Sequence, residues 1–149
     1  MFARNITKEL EQWAAKKNRK PLILRGARQV GKTTLVDSFS HQFENYLYVN
    51  FEKTPTAIVM FEKEQEIADL MAEIFLFCNK EKKQGKTLLF IDEIQLSKAA
   101  VTKLRYFYEA KIADLYVIAA GSLLETMLNK NISFPVGRVE YMAVCRFNY

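Results

Sequence analysis

Cysteine and histidine are scarce in this chain. Cys78 and Cys145 stand far apart with no C-x-x-C pair, and His41 is the only histidine. That pattern excludes a disulfide scaffold and a zinc site, and leaves both thiols as small hydrophobes of a core. Long apolar runs are missing too. LLFI (88–91) and LYVIAA (115–120) fall far short of the roughly 18 residues a bilayer-spanning helix needs. The opening MFARNITKEL lacks the apolar stretch of a signal peptide. The expectation is a cytoplasmic protein with no membrane partner. No internal repeat, low-complexity tract or Pro/Gly/Ser-rich linker divides the 149 residues, half of them apolar, so one globular domain over 1–149 is expected.

Charge of one sign is only mildly in excess, at +5. Basic residues recur as KKNRK (16–20) and KEKK (80–83), which can meet nucleic-acid phosphates, but neither run is interleaved with aromatics. Solvated lysines between elements are the simpler account, and DNA is kept as a weakly supported partner.

What is present alternates between strand and helix. A helix over about 5–18 precedes Pro21 and the apolar run LIL (22–24). Leu35, Val36, Phe39 and Phe43 then fall at helical spacing. YLYVNF (46–51) reads as a second strand, and Ile67, Leu70, Met71, Ile74, Phe75 and Cys78 mark a long amphipathic helix. TLLFI (87–91) is continuously apolar, as a parallel strand covered on both faces would be, and Val101, Leu104, Phe107 and Tyr108 mark the helix after it. LYVIAA supplies a fourth strand, LLETML (123–128) a short helix and RVEYMAV (138–144) a fifth strand. The expectation is an α/β fold in three layers, a mainly parallel sheet with helices on both faces.

Between the first strand and the second helix lies LRGARQVGKTT (24–34), which fits the phosphate-loop pattern G-x-x-x-x-G-K-[ST]. By chance the pattern would occur roughly once in two hundred chains of this size. Its position between strand and helix gives it meaning. Glycines permit tight curvature, and the amides of Gly26, Ala27, Arg28, Gln29, Val30 and Gly31 can surround a polyphosphate at the positive end of a helix. Lys32 would reach the β and γ phosphates, Thr33 would ligate Mg²⁺ through its hydroxyl, and Thr34 can donate to the α phosphate. Arg28 has the alternative of reaching a partner or a neighbouring acid.

LLFIDEIQ (88–95) supplies the acids. Asp92 ends an apolar strand at the sheet edge where open α/β folds bind ligands, and can hold the Mg²⁺ shell through water. Glu93, next to it, suits a general base that deprotonates an attacking water. Ser122 in AAGS is either a γ-phosphate or water contact or an N-cap for LLETML. Arg138, after Gly137, can bring positive charge to the γ phosphate or to a neighbouring subunit's nucleotide, or simply start a strand. Asn50 and Glu52 in VNFE end the second strand near Glu93 and are candidates for hydrogen bonding in the catalytic layer.

RGARQVGKTTL (25–35), FIDEIQ (90–95), AAGSLLE (119–125) and FPVGRVEY (134–141) together resemble the amino-terminal ATPase domain of a prokaryotic AAA-type family (AAA_14-like). Its members pair this domain with a carboxy-terminal DUF4143-type domain. The resemblance implies a P-loop NTPase fold with strand order 5-1-4-3-2, and ATP with Mg²⁺ as ligands. It also implies the roles above for Lys32, Thr33, Asp92 and Glu93, Ser122 as a sensor and Arg138 in a glycine-arginine motif. Where such proteins continue into a P-L-S-F-x-E-F segment, this chain reads RFNY and stops at Tyr149, so the lid and second domain are expected to be absent.

Two functions stay open on this reading. One is a Mg²⁺-dependent ATPase core. The other is a nucleotide-dependent binding module, or a truncated fragment with little turnover, acting on DNA or a protein partner or as a homo-oligomer. A small-molecule kinase fits less well because Glu93 adjoins Asp92, and a GTPase because NKNI (129–132) lacks the aspartate of N-K-x-D.

Overall fold

The computed structural model describes residues 2–26, 31–121 and 134–144, with side chains from residue 6 onward. Its order is α1 (Phe2–Ala15), β1 (Leu22–Arg25), α2 (Lys32–Phe39), β2 (Asn45–Asn50), α3 (Ile58–Glu62), α4 (Ile67–Phe77), β3 (Thr87–Asp92), α5 (Lys98–Ala110), β4 (Leu115–Ala120) and β5 (Glu140–Ala143). Five parallel strands lie in the order β2-β3-β4-β1-β5, the expected order read from the other edge. The expected helix over 123–128 lies outside the described residues.

Strand parity explains both the apolar runs and the layers. In β3, Leu88 and Phe90 face α1 and α2, whereas Leu89 and Ile91 face α3, α4 and α5. β4 divides likewise, with Tyr116, Ile118 and Ala120 on the first face and Val117 and Ala119 on the second. A strand buried on both sides has no polar position to spare. β5 runs along the sheet margin and alternates half-buried and exposed residues, as one covered face requires.

The first layer begins with Ile6, Leu10 and Trp13 of α1, spaced by four and three residues and all buried. The Trp13 indole donates to the Lys20 carbonyl (2.7 Å) and its ring meets Tyr116 edge-on, which ties α1 to the entry of β1. On the other face α4 buries Ile67, Leu70, Met71, Ile74 and Phe75.

Three expectations shift. Phe43 lies beyond α2, which ends at Phe39 and gives way to a tight turn over Ser40–Gln42; Phe43 is nevertheless buried against Phe39 and Tyr116. The opening helix ends at Ala15 rather than near 18. The short α3 was not expected at all. Cys78 is half-buried beside α4, its thiol 3.8 Å from the Tyr48 carbonyl, and Cys145 lies outside the described residues. Among the described residues no helix is long and apolar enough to cross a membrane.

Candidate nucleotide-binding site

Sheet register sets the frame of the site. Asn50 pairs with Asp92, Asp92 with Ala120, and Ala120 with Leu24, so the carboxyl ends of four strands form one row. Parity then orients the row. Asp92 follows Leu88 and Phe90 on the α2 side of the sheet, and Asn50 follows Tyr46 and Tyr48 on the same side.

α2 begins at that edge. Gly31 caps it at φ 82°, ψ 24°, a left-handed conformation that costs a side-chain-bearing residue about 1–2 kcal/mol. Its carbonyl accepts the first helical bond from the Leu35 N–H (2.9 Å). The amino-terminal N–H groups and dipole of α2 therefore open onto the row of strand ends. Thr34, in the first turn, is exposed. Of the expected loop, Gly26 and Gly31 are described; Ala27, Arg28, Gln29 and Val30 lie outside the described residues, as does Ser122.

Lys32 is only 8% exposed. Its ammonium donates to the Gly26 carbonyl (3.0 Å), at the end of β1, and to the Gly121 carbonyl (3.3 Å), at the end of β4. A buried cation thus sits where the end of β1, the start of α2 and the end of β4 converge.

Asp92 is buried and its carboxylate is held from several sides. Oδ1 accepts the Glu93 N–H (2.9 Å); Oδ2 accepts the Thr33 hydroxyl (3.2 Å) and the Tyr48 hydroxyl (2.9 Å). Tyr48 in turn accepts from the Asn50 amide (2.9 Å). Burial, first of all, raises the Tyr48 phenol above its ordinary value, and the Asp92 charge adds to this, so the hydroxyl keeps its proton. Glu93 turns the chain at the strand end with φ 54°, ψ 44°, and its Oε1 accepts from the Gln95 amide (2.7 Å). The Oε1 of Gln95 is buried with no hydrogen-bond partner among the described residues.

The structure therefore brings Gly26, Gly31, Lys32, Thr33, Asp92 and Gly121 together, with Glu93 next to them. Asn50 joins through Tyr48, and Glu52 contributes its backbone N–H to the Asn50 side chain (2.9 Å). Arg138 is not brought to this cluster. It precedes β5, whose Glu140 is level with Leu22 at the start of β1, so it stands at the opposite edge of the sheet. There it contacts Glu109 of α5 (3.4 Å). Tyr48 and Gln95 were missed by the sequence reading. The alternation of Tyr46, Tyr48 and Asn50 was the available signal for Tyr48, and closeness to Glu93 for Gln95.

Among the described residues no group of three His, Cys, Asp or Glu side chains is placed to hold a metal ion. The donor set that does fit a Mg²⁺ ion is the Thr33 hydroxyl with the Asp92 carboxylate, two hard oxygen donors 3.2 Å apart. That ion takes few protein ligands and completes its shell with water and phosphate oxygens.

The two basic runs end on the amino edge of the sheet, away from Lys32. Lys17, Arg19, Lys20 and Lys111 line a cleft of about 360 Å³ there. The Arg19 guanidinium lies 3.4 Å from the Tyr116 ring centroid, and burial lowers its pKa.

Gly31 at the start of α2, with this lysine and this carboxylate at the same sheet edge, fits a P-loop nucleotide-binding core. Comparison with protein families agrees: the model of the AAA domain (AAA_14) matches residues 18–149, and the chain belongs to that family. No curated protein matches the chain. Among solved structures, it is similar to a chain of Drosophila ORC bound to DNA, with a TM-score of 0.61, 13% identity, and coverage of 95% of this chain and 42% of that one. It is also similar to the Aeropyrum pernix ORC1 protein in complex with DNA, with a TM-score of 0.53, 13% identity, and coverage of 98% and 44%. This chain thus spans less than half the length of either. At such identity the likeness shows the fold, that of AAA-type P-loop NTPases.

Proposed function

We propose that the chain binds ATP with Mg²⁺ and hydrolyses it. Support comes above all from the bond between Thr33 and Asp92, which sets the two oxygen donors for a cation beside the phosphate-facing start of α2. Lys32, at the same edge, would neutralise charge on the β and γ phosphates. A bound Mg²⁺ would supply charge neutralisation and orientation of the phosphates.

In this reading water attacks the γ phosphorus, the bond to the β–γ bridging oxygen breaks, and ADP leaves. Glu93 takes the water proton, its carboxylate oriented by the Gln95 amide at 2.7 Å. Ser122 is proposed as a γ-phosphate sensor. Arg138, at the opposite edge, is proposed to serve a neighbouring subunit's nucleotide in a homo-oligomer. A cytoplasmic setting belongs to the same proposal.

The experiment is phosphate release under single turnover, with and without DNA, for the unaltered chain and for Glu93→Gln. Hydrolysis that Glu93→Gln abolishes while ATP still binds supports the reading. Equal release from both proteins rejects Glu93 as the base.

A second reading, a nucleotide-dependent binding module with little turnover, draws on the amino-edge cleft lined by Lys17, Arg19, Lys20 and Lys111. It expects ATP binding without phosphate release, together with salt-sensitive DNA retention.

A further inference from the structure

We infer that Tyr48 is a positioning residue for the metal-facing carboxylate of Asp92, and that Asn50 sets its direction; this rests on the reading of Thr33 and Asp92 as the Mg²⁺ side of the site.

The direction of each bond follows from donor and acceptor chemistry. Asn50 Oδ1 accepts two backbone N–H groups, from Glu52 (2.9 Å) and Lys53 (3.0 Å). Two N–H donors fix which end of the amide is oxygen, so the other end, Nδ2, points to the Tyr48 hydroxyl at 2.9 Å and can only donate. Tyr48 is thereby the acceptor in that pair. Its single proton is left for Asp92 Oδ2, at 2.9 Å. The turn after β2 thus dictates how a carboxylate on β3 is held.

The consequence lies in what each Asp92 oxygen retains. Oδ1 is held by the Glu93 N–H and Oδ2 by Tyr48, so the plane of the carboxylate is set by two donors outside the phosphate loop. Thr33 can then turn a lone pair to a cation while keeping its proton on an acceptor that does not swing away. An ionised carboxylate accepts about two bonds per oxygen, so with Tyr48 and Thr33 on Oδ2 the room for a cation-bound water lies at Oδ1, beside the Glu93 N–H. Groups that orient a metal-side ligand in this way typically contribute about 10- to 100-fold to metal affinity.

Packing alone would not need the hydroxyl. The Tyr48 ring already lies against Phe90, centroids 5.4 Å apart, and a phenylalanine would fill that place. What Tyr48→Phe removes is the donor.

The test is calorimetric titration of the chain with ATP, once in EDTA and once in excess Mg²⁺, read as the ratio of the two affinities. In Tyr48→Phe that ratio is expected to fall about tenfold, the low end for such orienting groups, with the EDTA affinity and Tm near those of the unaltered chain. Asn50→Ala, which keeps the ring and hydroxyl but frees their direction, should lower the ratio in the same sense by less. It also decides the matter if Tyr48→Phe does not fold. Unchanged ratios overturn the inference, as does a Tyr48→Phe variant whose two affinities and Tm fall together. Failure of the underlying reading looks different: the unaltered chain would show no gain from Mg²⁺, or Lys32→Ala would bind ATP as the unaltered chain does.

Discussion

Thr33 and Asp92, 59 residues apart in the chain, meet through a hydroxyl–carboxylate hydrogen bond of 3.2 Å. Two independent local facts produce it. The parity of β3 turns Asp92 to the α2 side of the sheet, and the left-handed Gly31 starts α2 with Thr33 as its second residue. Neither alone would make a cation site. Thr33→Val keeps the shape and removes the hydroxyl, and Thr33→Ser keeps the hydroxyl. With Mn²⁺ as a spectroscopic stand-in, ATP-dependent binding of the ion measured by electron paramagnetic resonance should survive in Thr33→Ser and be lost in Thr33→Val.

The sheet face that carries this site depends on its apolar backing. Phe90 is fully buried between β3 and the layer of α1 and α2, and Phe61 is fully buried on the other face against Phe51. Truncating either to alanine removes a large side chain from a packed core, at a cost of about 3–5 kcal/mol. Urea unfolding should show this as a lower midpoint for both variants. Phe90→Ala should also weaken ATP binding, because its ring lies against that of Tyr48, whose hydroxyl holds Asp92.

One strained position is open to relief. Lys111 ends α5 in a left-handed conformation at φ 51°, where glycine is the ordinary choice. Lys111→Gly should stabilise the fold by about 0.5–1 kcal/mol, the left-handed penalty less glycine's added chain entropy, seen as a higher Tm. Glu93 has the same conformation at φ 54°, but its side chain is proposed for catalysis. Glu93→Gly should therefore raise stability while lowering turnover by roughly 10²–10⁴-fold, the usual contribution of a general base.

Burial raises the Cys78 thiol above its ordinary value, more than Lys80 and the Tyr48 carbonyl lower it. The reactive thiolate is therefore scarce at neutral pH and grows only as the pH rises through that raised value. Alkylation at Cys78, followed by peptide mass spectrometry, should be slow at pH 7 in the folded chain and fast in urea.

The long elements were legible in the sequence for a physical reason. LYVIAA and LLFI are apolar at every position because two helical layers cover the sheet, and α4 shows its three- and four-residue spacing because one of its sides is solvated. The Gly31-Lys32-Thr33 triplet and Asp92 stood out in the sequence because the phosphate-loop pattern confines residue types tightly, and the structure brings them to one sheet edge. The short α3 was not, since five residues leave no period to read. Phe43 kept the helical spacing although the helix had ended, because its burial is set by Phe39 and Tyr116. The alternation of Tyr46, Tyr48 and Asn50 signalled the face on which Tyr48 lies, but not its partner. Its hydroxyl serves a partner 44 residues away, and only sheet register reveals that. The position of Arg138 likewise needed the pairing of β5 with β1.

The central claim is that Lys32, buried between the ends of β1 and β4, is the phosphate-binding lysine. Calorimetric titration of the unaltered chain and of Lys32→Ala with ATP and Mg²⁺ tests it most directly. Loss of charge-assisted bonds to the phosphates, about 1.5–3 kcal/mol each, predicts an affinity at least roughly tenfold weaker in Lys32→Ala, with the fold retained. Equal affinity in the two folded proteins would contradict the account.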